Sequence, residues 1–428
     1  MKRGVEARVI AADLLRRIVE EGAYSNVVIR TGTHDLQRRD ALFVQRLVYT
    51  AIRYLVRIDR TIDERISRPI DDPVRSVLRI GVAEILFTDA EPHAAVHSAV
   101  ECVRVLDNPR AAGFVNGVLR NVIRHGEPVL PTGPAGEALR YGVPEWLFDN
   151  LVAAYGDEWA RAFLEASNRA TRVGVRRRSG APPGECIPGI EDAFVVDDVA
   201  EHREAIASGD LVVADPASTA VVAALDPRPG DRVVDLAAAP GGKALHLWDR
   251  ISGDGVLVAM DRHPRRAATA RRRLDRMKID IPWVIGDAAV PPFRAASFDR
   301  VLLDAPCTGL GTLRRRPEIR HRVDPTSASA AGRLQRSMLE AALMLVRPGG
   351  RLVYSVCTVT PEETVDVVAG LEARAPAGIP GAPLDGGVLL APHHTGTDGM
   401  FIAAIDLSLI HISEPTRPPS TSRMPSSA

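Results

Sequence analysis

The sequence predicts a multidomain protein in which an all-α N-terminal bundle precedes an α/β domain built on a Rossmann-like, doubly wound sheet. Three observations support this fold class. The chain of 428 residues is too long for one compact core. Apolar residues recur at helical spacing through residues 1–125. Farther along, five short apolar runs each lead into an aspartate or a cysteine, which is typical of parallel strands with a binding site at their carboxyl ends.

Residues 1–125 predict a separate helical domain. Helices are expected over residues 7–19, 40–54, 58–66, 73–88, 94–106 and 111–123, and Gly and Pro separate them. Arginines are grouped at residues 16–17, 38–39 and 120–124. Solvated helix faces and contacts with phosphates explain these arginines equally well, so the pattern does not choose between them.

Residues 126–200 predict a linker followed by a small α/β middle segment. Residues 126–135 are rich in Pro and Gly, which is typical of a linker. Helices are expected over residues 144–155 and 157–168, and short strands over residues 172–178 and 194–196. The Rossmann-like domain is expected over residues 201–406, with its sheet beginning near Leu211.

A loop of small residues follows the strand predicted at residues 232–236 and leads into a helix. Small residues let backbone N–H groups approach a ligand closely, and the N-terminus of a helix favours a carboxylate or a phosphate. We therefore predict that this turn binds the ligand, through Ala237, Ala238, Ala239, Pro240, Gly241, Gly242 and Lys243.

Each later strand ends in a side chain suited to the same site. Asp261 follows the loop at the separation expected of a carboxylate that holds ribose hydroxyls, and Asp287 is placed to accept from an adenine amino group. Asp304 and Cys307 end the fourth strand, and Cys357 ends the fifth. Because the carboxyl ends of parallel strands meet at one edge of the sheet, we expect these side chains to converge.

Composition narrows the class of protein. The 54 Lys and Arg balance the 54 Asp and Glu, hydrophobic residues make up 46%, and the apolar runs are too short to span a membrane. We therefore expect a globular protein without membrane segments. Four cysteines in so long a chain do not make a disulfide framework, so a reducing cytoplasm is the expected compartment. A net charge of zero argues neither for nor against a nucleic-acid partner.

The motifs resemble the NOP/Sun family of RNA (cytosine-5)-methyltransferases. The family's cofactor turn corresponds to residues 237–243, its Asp-Ala-Pro-Cys signature to residues 304–307, and its second cysteine signature to residues 354–358. Its closing strand corresponds to residues 396–402. In the N-terminal part, residues 93–96 and 113–120 resemble the NusB-like RNA-binding domain. The branch that joins these modules in this order methylates a cytosine of 16S ribosomal RNA.

The resemblance implies an S-adenosylmethionine-dependent methyltransferase domain and a role for each polar residue. Cys357 is implied as the nucleophile that adds to C6 of cytosine, which makes C5 nucleophilic. Asp304 is implied to stabilise that adduct at N3 and to contact the cofactor, and Cys307 to assist release of the product. Both thiols are expected near a sulfonium and arginines, which favours thiolates. The target base must leave its stack, which suits a single-stranded loop or bulge.

Other candidate residues have simpler explanations. Cys102 and Cys186 are expected to be small buried residues. Asp235 either caps the turn or lies near the cofactor amino group. The arginine-rich run over residues 314–322 follows the Cys307 loop, and we expect it to contact phosphates rather than to form a solvated surface. No metal site is expected, because metal-ligand spacing with the cysteines is lacking at His246, His263, His393 and His394.

Parts of the chain depart from the family pattern. Ala237 stands where the family has cysteine, and residues 174–176, Gly-Val-Arg, stand where it has Arg-Val-Asn, which leaves an RNA contact in that segment unsupported. Residues 407–428 extend no periodic pattern, resemble translated sequencing-adapter read-through, and are expected to be disordered.

The resemblance makes 16S ribosomal RNA the expected partner of a monomeric protein. Two other functions stay open. One is a methyltransferase of the same class that acts on tRNA or on another ribosomal RNA site. The other is a non-catalytic RNA-binding assembly protein, although the presence of both cysteines and of the cofactor-side acids disfavours it.

Overall fold

The structure is a computed structural model that describes residues 3–106 and 108–408. Its N-terminal domain is all helical and encloses a hydrophobic core of its own, which confirms the predicted bundle. Only α2 was not predicted, because eight residues give about two turns of periodicity to detect. The helices are α1 (Arg3–Val19), α2 (Ser25–Gly32), α3 (Arg38–Arg53), α4 (Leu55–Asp63), α5 (Asp72–Phe87), α6 (Pro92–Val105) and α7 (Ala111–His125).

The middle segment contains helices and a small sheet. The apolar faces of the helices α8 (Pro134–Tyr141), α9 (Glu145–Tyr155) and α10 (Asp157–Asn168) join the core beneath the large C-terminal sheet. The small antiparallel sheet has the order β2-β3-β1-β4, and the short α11 (Arg203–Ser208) precedes its last strand. Its strands are β1 (Val173–Arg177), β2 (Glu185–Cys186), β3 (Ala193–Val196) and β4 (Leu211–Val213).

The prediction that the large sheet begins near Leu211 is wrong. Leu211 belongs to β4, which pairs antiparallel with β1 through partners such as Val213 and Val175. The run is apolar because it packs in the small sheet, and apolar character alone does not tell a strand which sheet to join. The large sheet begins at β5 (Arg232–Asp235).

The large sheet has the order β11-β12-β13-β9-β8-β5-β6-β7, with β10 paired to β13. Its strands after β5 are β6 (Val256–Asp261), β7 (Trp283–Ile285), β8 (Phe298–Asp304), β9 (Val346–Val356), β10 (Ala373–Arg374), β11 (Ala382–Leu384), β12 (Gly387–Leu390) and β13 (Met400–Asp406). The associated helices are α12 (Pro216–Leu225), α13 (Gly242–Ile251), α14 (Pro264–Arg276), α15 (Pro325–Leu343), α16 (Val365–Val368) and α17 (Pro392–Thr395).

The central five strands are parallel, whereas β13 runs antiparallel to β9. Alternate residues of the strands face two separate cores, as Val233 and Val234 do, so both faces of the sheet are covered. From β5 the chain crosses over to β6 on one side, and β8 lies on the other side. Strand order therefore reverses between β5 and β8, and a crevice opens at their carboxyl ends, which confirms the Rossmann-like prediction.

The arginine-rich run over residues 314–322 lies between the N-terminal domain and the large-sheet domain. Arg320 is 1% exposed and donates to the carbonyl of Tyr141 (3.0 Å) and to Oδ1 of Asn168 (2.9 Å). Arg322 donates to the carbonyls of Ile18 and Ala23 in the N-terminal domain. For Arg320 the predicted phosphate contact is wrong, because its guanidinium is buried at the domain junction, whereas Arg322 is exposed and its phosphate contact stays a prediction.

Arg314, Arg315 and Glu318 of the same run also bond to other parts of the protein. Arg314 donates to the carbonyl of Gly396 (3.0 Å), and Arg315 forms an ion pair with Asp215 (2.5 Å). The carboxylate of Glu318, also buried, accepts from the hydroxyl of Ser25 at 2.7 Å. Residues 318–322 therefore form a clasp between the domains, whereas Arg314 and Arg315 bond within the C-terminal part of the chain.

The expected tail begins with a residue that still belongs to the sheet. Leu407 donates to the carbonyl of Gly350 (3.0 Å) and accepts from the N–H of Gly349 (2.7 Å). The expectation of disorder concerns residues 409–428, which lie outside the described residues, and the proposed domain boundaries stay predictions. No helix within residues 3–106 and 108–408 is long and apolar enough to cross a lipid bilayer.

Candidate active site

The turn between β5 and α13 forms one wall of a cavity of about 190 Å³. Gly241 has a φ of +94°, a left-handed conformation that glycine adopts without strain. A Cβ built on Gly242 would meet nothing within 4 Å, so a ligand has free access to the backbone there. The cavity is lined by the predicted residues Ala237, Ala238, Ala239, Pro240, Gly242 and Lys243, together with Asp235 and Asp304.

Asp261 and Asp287 lie at the ends of β6 and β7, beside the turn. Asp261 is 3% exposed, and its carboxylate accepts from the N–H groups of Ala239 (3.1 Å) and His263 (2.8 Å). Asp287 accepts from the N–H of Ala289 at 2.9 Å. In the part of the chain that the structure describes, neither carboxylate lines the cavity, so their contact with a cofactor stays a prediction. The observed task of Asp261 is to hold the turn in place.

Asp304 is the polar centre of the site. Its Oδ2 accepts from Nζ of Lys243 at 2.7 Å, and its Oδ1 accepts from Oγ of Ser355 at 2.8 Å. Burial works to lower the pKa of Lys243, but the Asp304 carboxylate outweighs it and the net pKa is raised. Burial, followed by repulsion from Asp304, raises the pKa of Asp235 to about 7. Two carboxyl groups face one lysine here, so the cavity can take a cationic ligand.

The two predicted cysteines meet at the ends of β8 and β9. Their Sγ atoms are 3.3 Å apart, longer than a disulfide bond, and both thiols are free. The hydrogen bond to Cys357, followed by removal from water, raises the pKa of Cys307 well above its usual range. Cys307 is therefore a thiol at neutral pH and can donate to Cys357.

This protonation state corrects one expectation. Cys307 was expected to be a thiolate near arginines, but its raised pKa makes it a thiol, and the cation beside the pair is Lys243. Two neighbouring thiolates would repel each other, so only one sulfur of the pair can readily ionise.

Glu363 holds the two cysteine loops together, and the sequence did not single it out. It is fully buried. Its carboxylate accepts from the N–H of Thr308 at 2.8 Å and from Oγ1 of Thr358 at 3.0 Å, which are the residues next to the two cysteines. It also accepts from Thr360 (2.9 Å) and from Nε2 of Gln335 (3.1 Å). The threonine after each cysteine is the signal in the sequence that points to such a shared acceptor.

Arg176 is a second residue that the sequence did not assign to the site. It lies on β1, is 4% exposed, and reaches the wall of the cavity. Its guanidinium donates to Asp249 at 2.7 Å, and burial lowers its pKa. The departure from the family pattern at residues 174–176 therefore places a cation at the edge of the site.

The other cysteines differ from each other. Cys102 is buried in the N-terminal domain, as predicted, whereas Cys186 is exposed on the two-residue strand β2, so the prediction for Cys186 is wrong. A two-residue strand at the edge of the small sheet has too few neighbours to cover its side chains. Among the residues that the structure describes, no group of three or more His, Cys, Asp and Glu side chains is arranged to hold a metal ion.

Comparisons with protein families match both halves of the chain. Residues 222–406 match the family described as 16S rRNA methyltransferase RsmB/F, and residues 5–124 match the NusB family. Among solved structures, the crystal structure of PH0851 is similar over 93% of this chain and 98% of its own, with 25% identity and a TM-score of 0.79. A methyltransferase homolog protein from Pyrococcus horikoshii is 26% identical, with a TM-score of 0.54, over 63% of this chain and 96% of its own.

Curated relatives match nearly the whole chain. The ribosomal RNA small subunit methyltransferase B of Vibrio cholerae is 30% identical over 94% of this chain and 97% of its own length. The probable ribosomal RNA small subunit methyltransferase B of Bacillus subtilis is 29% identical over 93% and 98%. With this identity over almost the full length of both proteins, and with the fold and turn described above, the chain belongs to the ribosomal RNA small subunit methyltransferase B family.

Proposed function

We propose that this protein transfers a methyl group from S-adenosylmethionine to C5 of a cytosine in 16S ribosomal RNA, through a covalent adduct between Cys357 and C6 of the base. The observation that carries the proposal is the pair of sulfurs 3.3 Å apart, with Asp304 on the strand that ends beside them. The names of the curated relatives support ribosomal RNA of the small subunit as the substrate.

The residues of the cavity fit this cofactor. S-adenosylmethionine supplies an electrophilic methyl group on a sulfonium, and it carries an ammonium and a carboxylate. The Asp235 and Asp304 carboxyl groups suit its cationic groups, while Lys243 and the N-terminus of α13 suit its carboxylate. The open space in front of Gly242 lets the ligand approach the backbone.

The two cysteines have different roles, because Cys307 is a thiol that donates a hydrogen bond and Cys357 is the sulfur that attacks C6. The Cys307 thiol donates to the sulfur of Cys357, which leaves Cys357 as the attacking nucleophile. That sulfur forms a bond to C6, and the electron pair displaced toward N3 takes up a proton that passes from the Lys243 ammonium through the Asp304 carboxyl, since the two groups are hydrogen-bonded. C5 would then take the methyl group as the bond between the methyl carbon and the sulfonium sulfur breaks, and that sulfur would leave as a neutral thioether.

Release of the methylated base requires the bond between C6 and Cys357 to break. A base removes the proton from C5, the C5–C6 double bond forms again, and the bond from C6 to Cys357 breaks. Cys307 is placed to supply the proton that the departing sulfur takes up, because the two sulfurs already share a hydrogen bond.

Labelled methyl transfer to unmodified 16S RNA tests the proposal, with wild type beside Cys357→Ala and Cys307→Ala. We expect Cys357→Ala to lose activity and Cys307→Ala to accumulate a protein–RNA adduct. Cys102→Ala is the matched control, since that thiol is buried in the other domain. Full activity of Cys357→Ala would disprove the covalent route. Transfer to tRNA but not to 16S RNA would favour the first alternative, and binding of RNA without any transfer would favour a non-catalytic assembly protein.

A further inference from the structure

Helix α14 carries an unusual concentration of positive charge. Its 13 residues include six arginines and one aspartate, a net charge of +5, and Arg262 and Lys278 flank it. The whole chain has a net charge of zero. The chain contains far more arginine than lysine, which explains why the cations of α14 are arginines. It does not explain why so many of them lie on one helix.

Five of the six arginines of α14 are exposed, Arg273 is partly buried, and none of the six forms an ion pair with a carboxylate in the described residues. Only Ala267, Ala270 and Leu274 of α14 are buried, and they anchor the helix to the sheet. Within residues 3–106 and 108–408, no ion pair involves an arginine of α14. The exposed side chains include Arg265, Arg271, Arg272 and Arg276.

Arginines on two other helices of the protein pair with a carboxylate on the same helix. In α10, Arg161 pairs with Asp157 one turn away, and in α15 Arg336 pairs with Glu340. In α14, by contrast, Arg272 and Arg276 are like charges four residues apart, and two arginines occupy the positive N-terminal end of the helix dipole. Both arrangements destabilise an isolated helix. The charge pattern of α14 therefore opposes the stability of the helix and calls for an anionic partner.

The cofactor does not provide that partner. α14 borders the site, since Arg266 donates to the carbonyl of Ala239 in the cofactor turn (2.8 Å) and Arg273 lines the cavity. The proposed cofactor is itself a sulfonium cation, so further positive charge beside it would weaken its binding. A polyanion at the opening of the cavity can pair with the arginines of α14, while the cofactor occupies the cavity itself.

We propose that the exposed face of α14 binds the phosphate backbone of the substrate RNA next to the target cytosine. The inference rests on the proposed function and adds that α14 provides a binding surface for the RNA substrate. Arginine pairs with phosphate through two parallel N–H groups, and such contacts fix the register of the strand without reading its sequence. The base can then turn into the site while its neighbouring phosphates stay on α14.

The test compares two triple variants in RNA binding at several salt concentrations. Arg265→Gln/Arg271→Gln/Arg272→Gln removes three charges from α14 and spares Arg266 and Arg273, which touch the turn or the cavity. We expect its affinity for unmodified 16S RNA to fall by about tenfold or more, and the slope of log Kd against log salt to shrink by about 2. The affinity for S-adenosylmethionine alone should not change, which also shows that the variant is folded.

The matched control, Arg203→Gln/Arg294→Gln/Arg333→Gln, removes three exposed charges from separate parts of the chain outside α14. An unchanged salt slope in the α14 variant, or an equal loss in the control, would overturn the inference. The proposed function is tested separately, by measuring methyl transfer by the wild-type protein. If the wild type methylates tRNA and not 16S RNA, the same salt titration is run with tRNA, so the role of α14 is still decided.

Discussion

Glu363 shows how one buried carboxylate can set the geometry of the two loops that carry Cys307 and Cys357. It accepts from donors on both sides, and among the described residues no lysine or arginine forms an ion pair with it. A carboxylate needs such a set of donors to stay charged in the interior. Its position therefore depends on both cysteine loops being in place, and theirs depends on it.

Glu363→Gln tests this positioning role. The amide keeps the shape of the side chain but turns one acceptor into a donor, which then faces an N–H or a hydroxyl that also donates. We expect kcat to fall by about 10- to 100-fold through displacement of the sulfurs, with little change in the Kd of S-adenosylmethionine, because Glu363 does not line the cavity.

Glu362→Gln is the matched control for Glu363→Gln. Glu362 is adjacent, and its observed bond is one that it accepts from Asn150, which glutamine can also accept. Equal losses in the two variants, or a loss in cofactor binding rather than in kcat, would contradict the positioning role.

Asp235 gives cofactor binding a dependence on pH. Its pKa of about 7 means that the carboxyl is mostly neutral below that pH and mostly charged above it. A cationic ligand prefers the charged form, so the affinity for S-adenosylmethionine should rise as pH increases from 6 to 8, by at most about tenfold per unit. Calorimetric titration at several pH values measures this. Asp235→Asn should weaken binding and remove that part of the pH dependence, and an unaltered pH profile in the variant would contradict the assignment.

At the scale of the element, the turn between β5 and α13 depends on the backbone conformation of Gly241. A side chain there would be strained by the positive φ, and its Cβ would lie 3.2 Å from the Cβ of Ala270 on α14. We expect Gly241→Ala to cost about 1–3 kcal/mol of stability and to weaken cofactor binding. Thermal unfolding and calorimetric titration report the two effects.

Gly253 offers the matched control for Gly241→Ala. It also has a positive φ, of 72°, but it lies after the other end of α13, and a Cβ would meet nothing within 4 Å. Gly253→Ala should lower stability without affecting the Kd of the cofactor. If both variants bind the cofactor as the wild type does, the turn does not need the conformation of Gly241.

At the scale of the whole molecule, residues 314–322 join the N-terminal domain to the loop that carries Cys307. Burial lowers the pKa of Arg320 to about 9, and its bonds go to neutral acceptors in the helical parts of the chain. The charge is therefore kept by several hydrogen bonds rather than by a close carboxylate. An N-terminal domain fixed in this way has a set position relative to the site.

Arg320→Ala tests the junction. It leaves the carbonyl of Tyr141 and the side-chain oxygen of Asn168 without this donor, so we expect the free energy of unfolding to fall by about 3 kcal/mol. Urea unfolding followed by tryptophan fluorescence measures it. The exposed Arg333→Ala is the control and should stay within about 0.5 kcal/mol of wild type. A similar stability for the two variants would show that the clasp does not hold the domains together.

The fold class and the composition of the site were predictable because both are local in sequence. Helical spacing identified most of the N-terminal helices, and strand ends identified Asp304, Cys307 and Cys357, since a strand and the loop after it are continuous in the chain. The burial of Arg320 was not predictable, because a run of arginines has the same sequence pattern whether it faces solvent or another domain.

The sequence by itself determined the order of the domains, the cofactor turn and the residue types at the strand ends. The tertiary structure alone decided which charges are paired, that Cys307 stays a thiol, and that Leu211 joins the small sheet. It also decided that Glu363 links two loops whose cysteines are 50 residues apart. The physical reason is that pairing, burial and pKa depend on neighbours brought together from distant parts of the chain, whereas periodicity and turn chemistry depend on neighbours in sequence.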